Sequence, residues 1–223
     1  MCGRFSLDAD YRQIKSQFKL DELADIEPHY NIAPSEDILA VLIDEEGKRV
    51  GRFFHWGLIP FWAKDKKIGN RMINARAEGI KDKPAFRHAF KSQRCLVVMS
   101  GFFEWKESGE GRKQPYYIHQ DNDLLLGVAG IWERWEDEKN RETIRSCSII
   151  TTEANDFMQS LHKRMPVILT QGVYDQWLNP DNQKLSELED LMQPYPDNDL
   201  ACHKVTLKMN NARFKSKESI EPV

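Results

Sequence analysis

Arg94-Cys95-Leu96-Val97-Val98-Met99-Ser100-Gly101-Phe102-Phe103-Glu104-Trp105 is the stretch whose reading decides the fold. β-Branched and aromatic residues dominate it, and such side chains suit a pleated, half-buried surface. The run therefore reads as strand. Downstream, Lys106–Lys113 reads as a charged hairpin loop carrying glycine, and Tyr116–His119, Leu124–Trp132 and Ile144–Thr151 continue the strands. Upstream, Ile38–Ile43 and Arg49–Leu58 form another pair around Glu46-Gly47. A strand over 165–169 and a last one near 202–207 complete the set. Helices are few. Leu7, Tyr11, Ile14 and Phe18 recur at helical spacing, which predicts an amphipathic helix over 8–19. Shorter helices are expected from Pro84 to about residue 92, and over 155–161, 172–178 and 182–192. There is no repeat, low-complexity tract or linker. The expected fold is α+β: a single domain, residues 1–223, with a largely antiparallel, barrel-like sheet flanked by short helices.

Composition narrows the function classes. The chain is 40% hydrophobic and 30% charged, the balance of a soluble globular protein with length enough for a substantial core. No apolar run is long enough to cross a membrane, and the polar first twenty residues lack a signal peptide's apolar centre. A cytoplasmic protein is expected. Cys2, Cys95, Cys147 and Cys202 are scattered without a C-x-x-C pair, so neither a zinc site nor a disulfide scaffold is expected. Cys95 and Cys147 read as buried strand residues. No metal or cofactor is expected. The net charge of −3 does not itself point to nucleic acid. Basic residues nonetheless gather in 63–76, 87–94 and 204–217, which allows a local basic groove.

Cys2 stands directly after Met1, in Met1-Cys2-Gly3-Arg4-Phe5. Cells usually trim a methionine that precedes a residue this small. Residue 2 would then carry a free α-amine and a thiol on adjacent carbons. The amine titrates near ~7.7–8.0 and an ordinary thiol near ~8.5, so both are partly deprotonated in a cell. Such a pair captures aldehydes: the amine forms a Schiff base and the sulfur closes a five-membered ring. Holding both groups on one residue gives the closure a large effective molarity. The competing reading is a cysteine placed by chance on a frayed terminus.

Four further segments could carry chemistry, each with a plainer alternative. In Ile73-Asn74-Ala75-Arg76-Ala77-Glu78, Asn74 can position an amine and Arg76 can hold a phosphate; the alternative is a capped loop with a surface ion pair. In Ser100-Gly101-Phe102-Phe103-Glu104-Trp105, a half-buried Glu104 could shuttle protons. Strand alternation equally allows it to face solvent. In Leu161-His162-Lys163-Arg164-Met165-Pro166, His162 at a helix–strand junction can exchange a proton, although a lone histidine is more often structural. Pro34, in the turn-like Asn31-Ile32-Ala33-Pro34-Ser35, and Trp62, among lysines, could meet bases. Stacking on tryptophan is worth ~1–3 kcal/mol per base. Trp62 could instead tuck under its own loop.

Together these segments resemble the SRAP family (SOS-response-associated peptidase, or abasic-site processing proteins). The resemblance rests on Met1-Cys2-Gly3-Arg4-Phe5, Tyr30-Asn31-Ile32-Ala33-Pro34, Trp56-Gly57-Leu58-Ile59-Pro60 with Trp62, Ile73–Glu78, Gly101–Trp105, His162–Pro166 and Glu221-Pro222-Val223, in family order along the whole chain. It implies recognition of abasic sites in single-stranded DNA and at single/double-strand junctions. It also implies a thiazolidine DNA–protein crosslink through Cys2 after Met1 leaves by a peptidase-like self-cleavage, shielding the lesion from strand cleavage. Cys2, Asn74, Glu104 and His162 would be catalytic. Arg4, Pro34, Trp62, Arg76 and Arg164 would contact DNA. A monomer is expected, associated with the nucleoid when it holds DNA. Two departures stand out: Lys163 where an acidic residue is common, and Phe103 where tyrosine is common. The competing functions are an N-terminal-nucleophile amidohydrolase acting in trans and a non-covalent binder of single-stranded or modified DNA.

Overall fold

The structure is a computed structural model that describes residues 2–107, 111, 113–122, 124–137 and 141–223, apart from the Asn198 side chain. In chain order the strands are β1 (Phe5–Leu7), β2 (Glu22–Leu23), β3 (His29–Ile32), β4 (Asp37–Ile43), β5 (Arg49–Trp56), β6 (Asn74–Arg76), β7 (Arg94–Met99), β8 (Gly101–Glu107), β9 (Lys113–Gln120), β10 (Leu126–Asp137), β11 (Glu142–Glu153), β12 (Arg164–Pro166), β13 (Ile168–Leu169) and β14 (Leu200–Lys204). The helices are α1 (Tyr11–Gln17), α2 (Arg87–Ser92), α3 (Asp156–Gln159), α4 (Tyr174–Leu178) and α5 (Leu185–Asp190). No described helix is long and apolar enough to cross a membrane.

Five strands close into a barrel in the order β5-β4-β7-β10-β11. The first four neighbours pair antiparallel. The barrel shuts through a short parallel contact, Ser146↔His55 and Cys147↔Trp56. Closure removes the unpaired edges that an open sheet would expose. A second sheet, β14-β9-β8-β1-β3, lies outside it. The mixed α+β barrel expected from the sequence is thus the fold observed.

The deciding run Arg94–Trp105 is two strands, not one. Every residue of β7 is buried, because β7 lies between β4 and β10 and Trp177 of α4 covers it. At Ser100 the chain leaves the barrel, and β8 pairs with β1 and β9 in the outer sheet. Gly101 is required there: a Cβ would meet Ile118 O and the Tyr117 ring at about 2.5 Å. Arg94, read as part of a basic cluster, is only 2% exposed. Its guanidinium donates to the carbonyls of Phe90, Lys91, Trp177, Asn179 and Asn182, and burial lowers its pKa to about 10. Cys95 and Cys147 are buried strand residues, as expected.

Other differences have local causes. The first helix is shorter than 8–19, since Leu7 belongs to β1 and Asp10 caps at Gln13 N. The helix expected from Pro84 begins at Arg87. Asn31 and Ile32, read as loop, form the end of β3. The 165–169 strand splits, β12 pairing with β11 and β13 with β10. Much of the expected hairpin loop over 106–113 lies outside the described residues.

Candidate active site

Three short elements bring the nucleophile candidate to the barrel. β1 pairs with β8 at Phe5↔Phe102, and Phe103 N–H continues the ladder by donating to Arg4 O at 2.9 Å. This draws Cys2 up against Glu104. Alternation along β8 sets the faces: Phe102 and Glu104 point inward, whereas Phe103 joins Tyr117, Val205 and Met209 on the outside. Glu104 is 4% exposed. Its solvent-facing alternative is therefore excluded. The hydroxyl absent from Phe103 would have sat in the outer cluster, on the face opposite Glu104.

Asn74 arrives from the other side. β6 pairs in parallel with β11, at Ile149↔Asn74. Trp56 fixes where β6 begins, since its indole N–H donates to Ile73 O at 2.9 Å and its ring packs edge-on against Phe5, with centroids 5.2 Å apart. The Asn74 side-chain N–H donates to Cys2 O at 2.8 Å. Among the described residues its buried Oδ1 has no hydrogen-bond partner. A buried acceptor left in that state costs stability, about 1–3 kcal/mol. The capped-loop reading of this segment does not account for it.

Cys2 is fully buried. Burial, and then the negative charge of Glu104, push its thiol pKa up to about 12, while the Arg4 backbone N–H pulls the other way. The partly ionised thiol expected from an ordinary cysteine is thus replaced by one held neutral at physiological pH.

The remaining candidates form a wider ring. His162 lies just before β12, two strands from β6 across β11. Arg164 N–H points at His162 Nδ1 at 2.9 Å, and the same ring nitrogen lies 3.2 Å from Arg164 O. Arg76 is exposed on β6. Arg164 is already occupied: it forms a two-pronged pair with Glu78 at 2.7 and 2.9 Å and donates to Thr151 O. Arg4 is half-buried, bonded to Asn31 Oδ1 at 2.7 Å and stacked over Trp105 at 5.6 Å. Pro34 is half-buried in a turn that Ser35, at φ 70°, carries back to Trp56 through Ser35 N–H. Trp62 is 48% exposed beside Phe61 at 53%, which excludes the tucked alternative. Sequence reasoning missed Asn31 and Trp56 as positioning groups. β3, His29-Tyr30-Asn31-Ile32, carries no pattern that singles Asn31 out.

The SRAP family model, described as SOS response associated peptidase, matches residues 1–212. The chain belongs to the SRAP family. It is 41% identical to the abasic site processing protein YoaM of Bacillus subtilis (strain 168) over 224 aligned positions, covering 99% of this chain and 98% of YoaM. Identity to YoqW, an abasic site processing protein of the same strain, is also 41%, over 99% of both chains. A crystal structure of a protein from Bacteroides thetaiotaomicron superposes on the SRAP fold described here with a TM-score of 0.87 at 27% identity, each chain covered completely. Among the described residues of this SRAP protein, no three His, Cys, Asp or Glu side chains stand close enough to hold a metal.

Proposed function

We propose that this protein processes abasic sites in single-stranded DNA and at its junctions with duplex, by trapping the lesion covalently on Cys2. The observation that carries this reading is the Asn74 amide. Its donor grips the Cys2 carbonyl and its buried acceptor has no partner among the described residues, beside a thiol that feels the Glu104 charge. The names of the relatives, abasic site processing proteins, support the substrate.

Hydrolysis of the Met1–Cys2 bond frees the α-amine, and Asn74 Oδ1 accepts one of its N–H bonds. The amine adds to C1′ of the ring-opened deoxyribose aldehyde, and loss of one water leaves an imine. The sulfur then bonds to the imine carbon while its proton passes to nitrogen. The sum is aminothiol plus aldehyde giving thiazolidine plus water. Glu104 carries a proton from the amine to the leaving hydroxyl, and then takes the thiol proton and passes it to nitrogen. Its closeness to a sulfur that is otherwise too weakly acidic to react supports that role. His162 donates a proton to the sugar ring oxygen during opening. Arg76 holds a flanking phosphate from its exposed position, and Arg4 and Arg164 contribute positive charge from behind it. Trp62 and Pro34 meet the neighbouring bases.

The test is incubation of purified protein with an oligonucleotide carrying one abasic site. A heat-stable shifted band is expected with wild type and absent with Cys2→Ala. Cys2→Ser is expected to yield a band only after borohydride reduction. A heat-stable band formed by Cys2→Ala would sink the proposal.

A further inference from the structure

The C-terminal segment takes no part in the chemistry above. It crosses the outer face of the five-stranded sheet, where Val205 and Met209 pack on Phe103 and Tyr117. Its next turn reaches Asn31. That side chain is fully buried at the end of β3. Its Oδ1 accepts from Arg4 Nη1 at 2.7 Å, and its Nδ2 donates to Phe214 O at 2.6 Å and to Asn211 O at 3.3 Å. The same turn holds Trp105, whose indole N–H donates to Asn210 Oδ1 at 2.7 Å beneath the Arg4 guanidinium. Arg4 is thus fastened at its side chain by Asn31 and at its carbonyl by Phe103 N–H.

We propose that Asn31 is a positioning residue for Cys2, clamping Arg4 between the C-terminal turn and β8 so that the sulfur stays aligned with Glu104. The proposal rests on the covalent-capture reading above. Only an amide can do this work in the space available. One end must accept from a guanidinium and the other must donate to a carbonyl. Aspartate would keep the first bond and set an oxygen against Phe214 O. β1 has only three residues, so it offers little ladder to hold its own leading end. The clamp supplies what those hydrogen bonds do not. Misplacing a reacting group by 1 Å costs on the order of 10²-fold in rate. The Arg4 N–H that faces the sulfur would move with the side chain that anchors it.

The experiment measures single-turnover crosslinking of Met1-processed protein to abasic oligonucleotide at saturating DNA, across pH, for wild type, Asn31→Asp and Asn31→Ala. Affinity for intact single-stranded DNA is measured in parallel. Both variants are expected to slow crosslinking about tenfold or more, with DNA affinity within about twofold of wild type. The midpoint of the rate–pH curve is expected to move upward as the sulfur loses its N–H contact. Unchanged rates and an unmoved curve in folded variants would overturn the proposal while leaving covalent capture standing. Failure of both variants to fold would assign Asn31 to stability alone and overturn it too. Absence of any crosslink from wild type would instead remove the capture reading, and the positioning role with it.

Discussion

The barrel and the outer sheet are built differently. Barrel strands β10 and β11 are matched over eight residue pairs, Gly130↔Ile149 to Asp137↔Glu142, and β7 is buried along its whole length. The outer sheet includes the three-residue β1, and side chains tie it down: Asn31 to Arg4, and Ser6 to the Tyr117 hydroxyl at 2.9 Å. Both sheets have long ladders, β8 with β9 running over seven pairs in the outer one, but β1 has a short ladder and leans on individual polar contacts. The site lies at the seam. Asn74 hangs from the barrel, while Cys2 and Glu104 come from the outer sheet. The geometry of these three residues depends on how the barrel and the short β1 strand are held in register.

That contrast can be broken by experiment. Glu104→Gln keeps the side-chain shape and removes the charge beside the sulfur. It is expected to slow crosslinking by about 10²–10⁴-fold with a nearly unchanged melting temperature. A wild-type rate in single-turnover assays would remove Glu104 from the proton path. Leu96→Ala, in β7, should do the reverse. It is expected to cost about 2–5 kcal/mol of stability by urea unfolding while the folded fraction crosslinks at the wild-type rate.

Alkaline pH probes both units at once. Burial raises the pKa of the Cys2, Cys95 and Cys147 thiols and of the Tyr117 and Tyr174 hydroxyls. Each is held neutral in the fold and ionises earlier in the unfolded chain. Their contribution is complete below the ordinary thiol value of 9.0 and is lost as pH climbs toward the raised values. The urea midpoint should fall between about pH 9 and pH 11; a flat midpoint over that range would contradict the burial of these groups. The smallest effect is expected at the rim. Arg76→Ala should weaken binding to single-stranded DNA only modestly and reduce the slope of log affinity against log salt by about 0.7. An unaltered slope would show that Arg76 meets no phosphate.

The barrel strands were legible because burial demands apolar runs such as Ile38–Ile43 and Cys95–Met99, and period and composition reveal them. β6 was not. Its three residues, Asn-Ala-Arg, carry no strand signature and pair only because β11 offers a free edge. The break at Ser100 was hidden because both halves of the run are apolar; what separates them is which neighbour each meets. Cys2, Asn74 and Glu104 could be named as candidates from residue type and family pattern, and the structure brings the Asn74 amide onto the Cys2 carbonyl. The inward direction of Glu104 depends on β8 pairing with β1, which no local pattern encodes. Arg94 and Arg164 taught the opposite lesson. Arg94, read as part of a basic cluster, and Arg164, read as a DNA contact, are already engaged, one by carbonyls and one by Glu78.

Gly57, at φ 140°, and Gly69 face each other where β5 ends and the 3-10 turn at Lys66–Arg71 passes; a Cβ on either would come within about 2.7 Å of the other's carbonyl oxygen. Two missing methyl groups let the intervening arc, with Phe61 and Trp62 at its crest, seat directly against the wall behind it. The exposed indole and phenyl rings are therefore carried on an arc whose two ends press against each other, backbone to backbone.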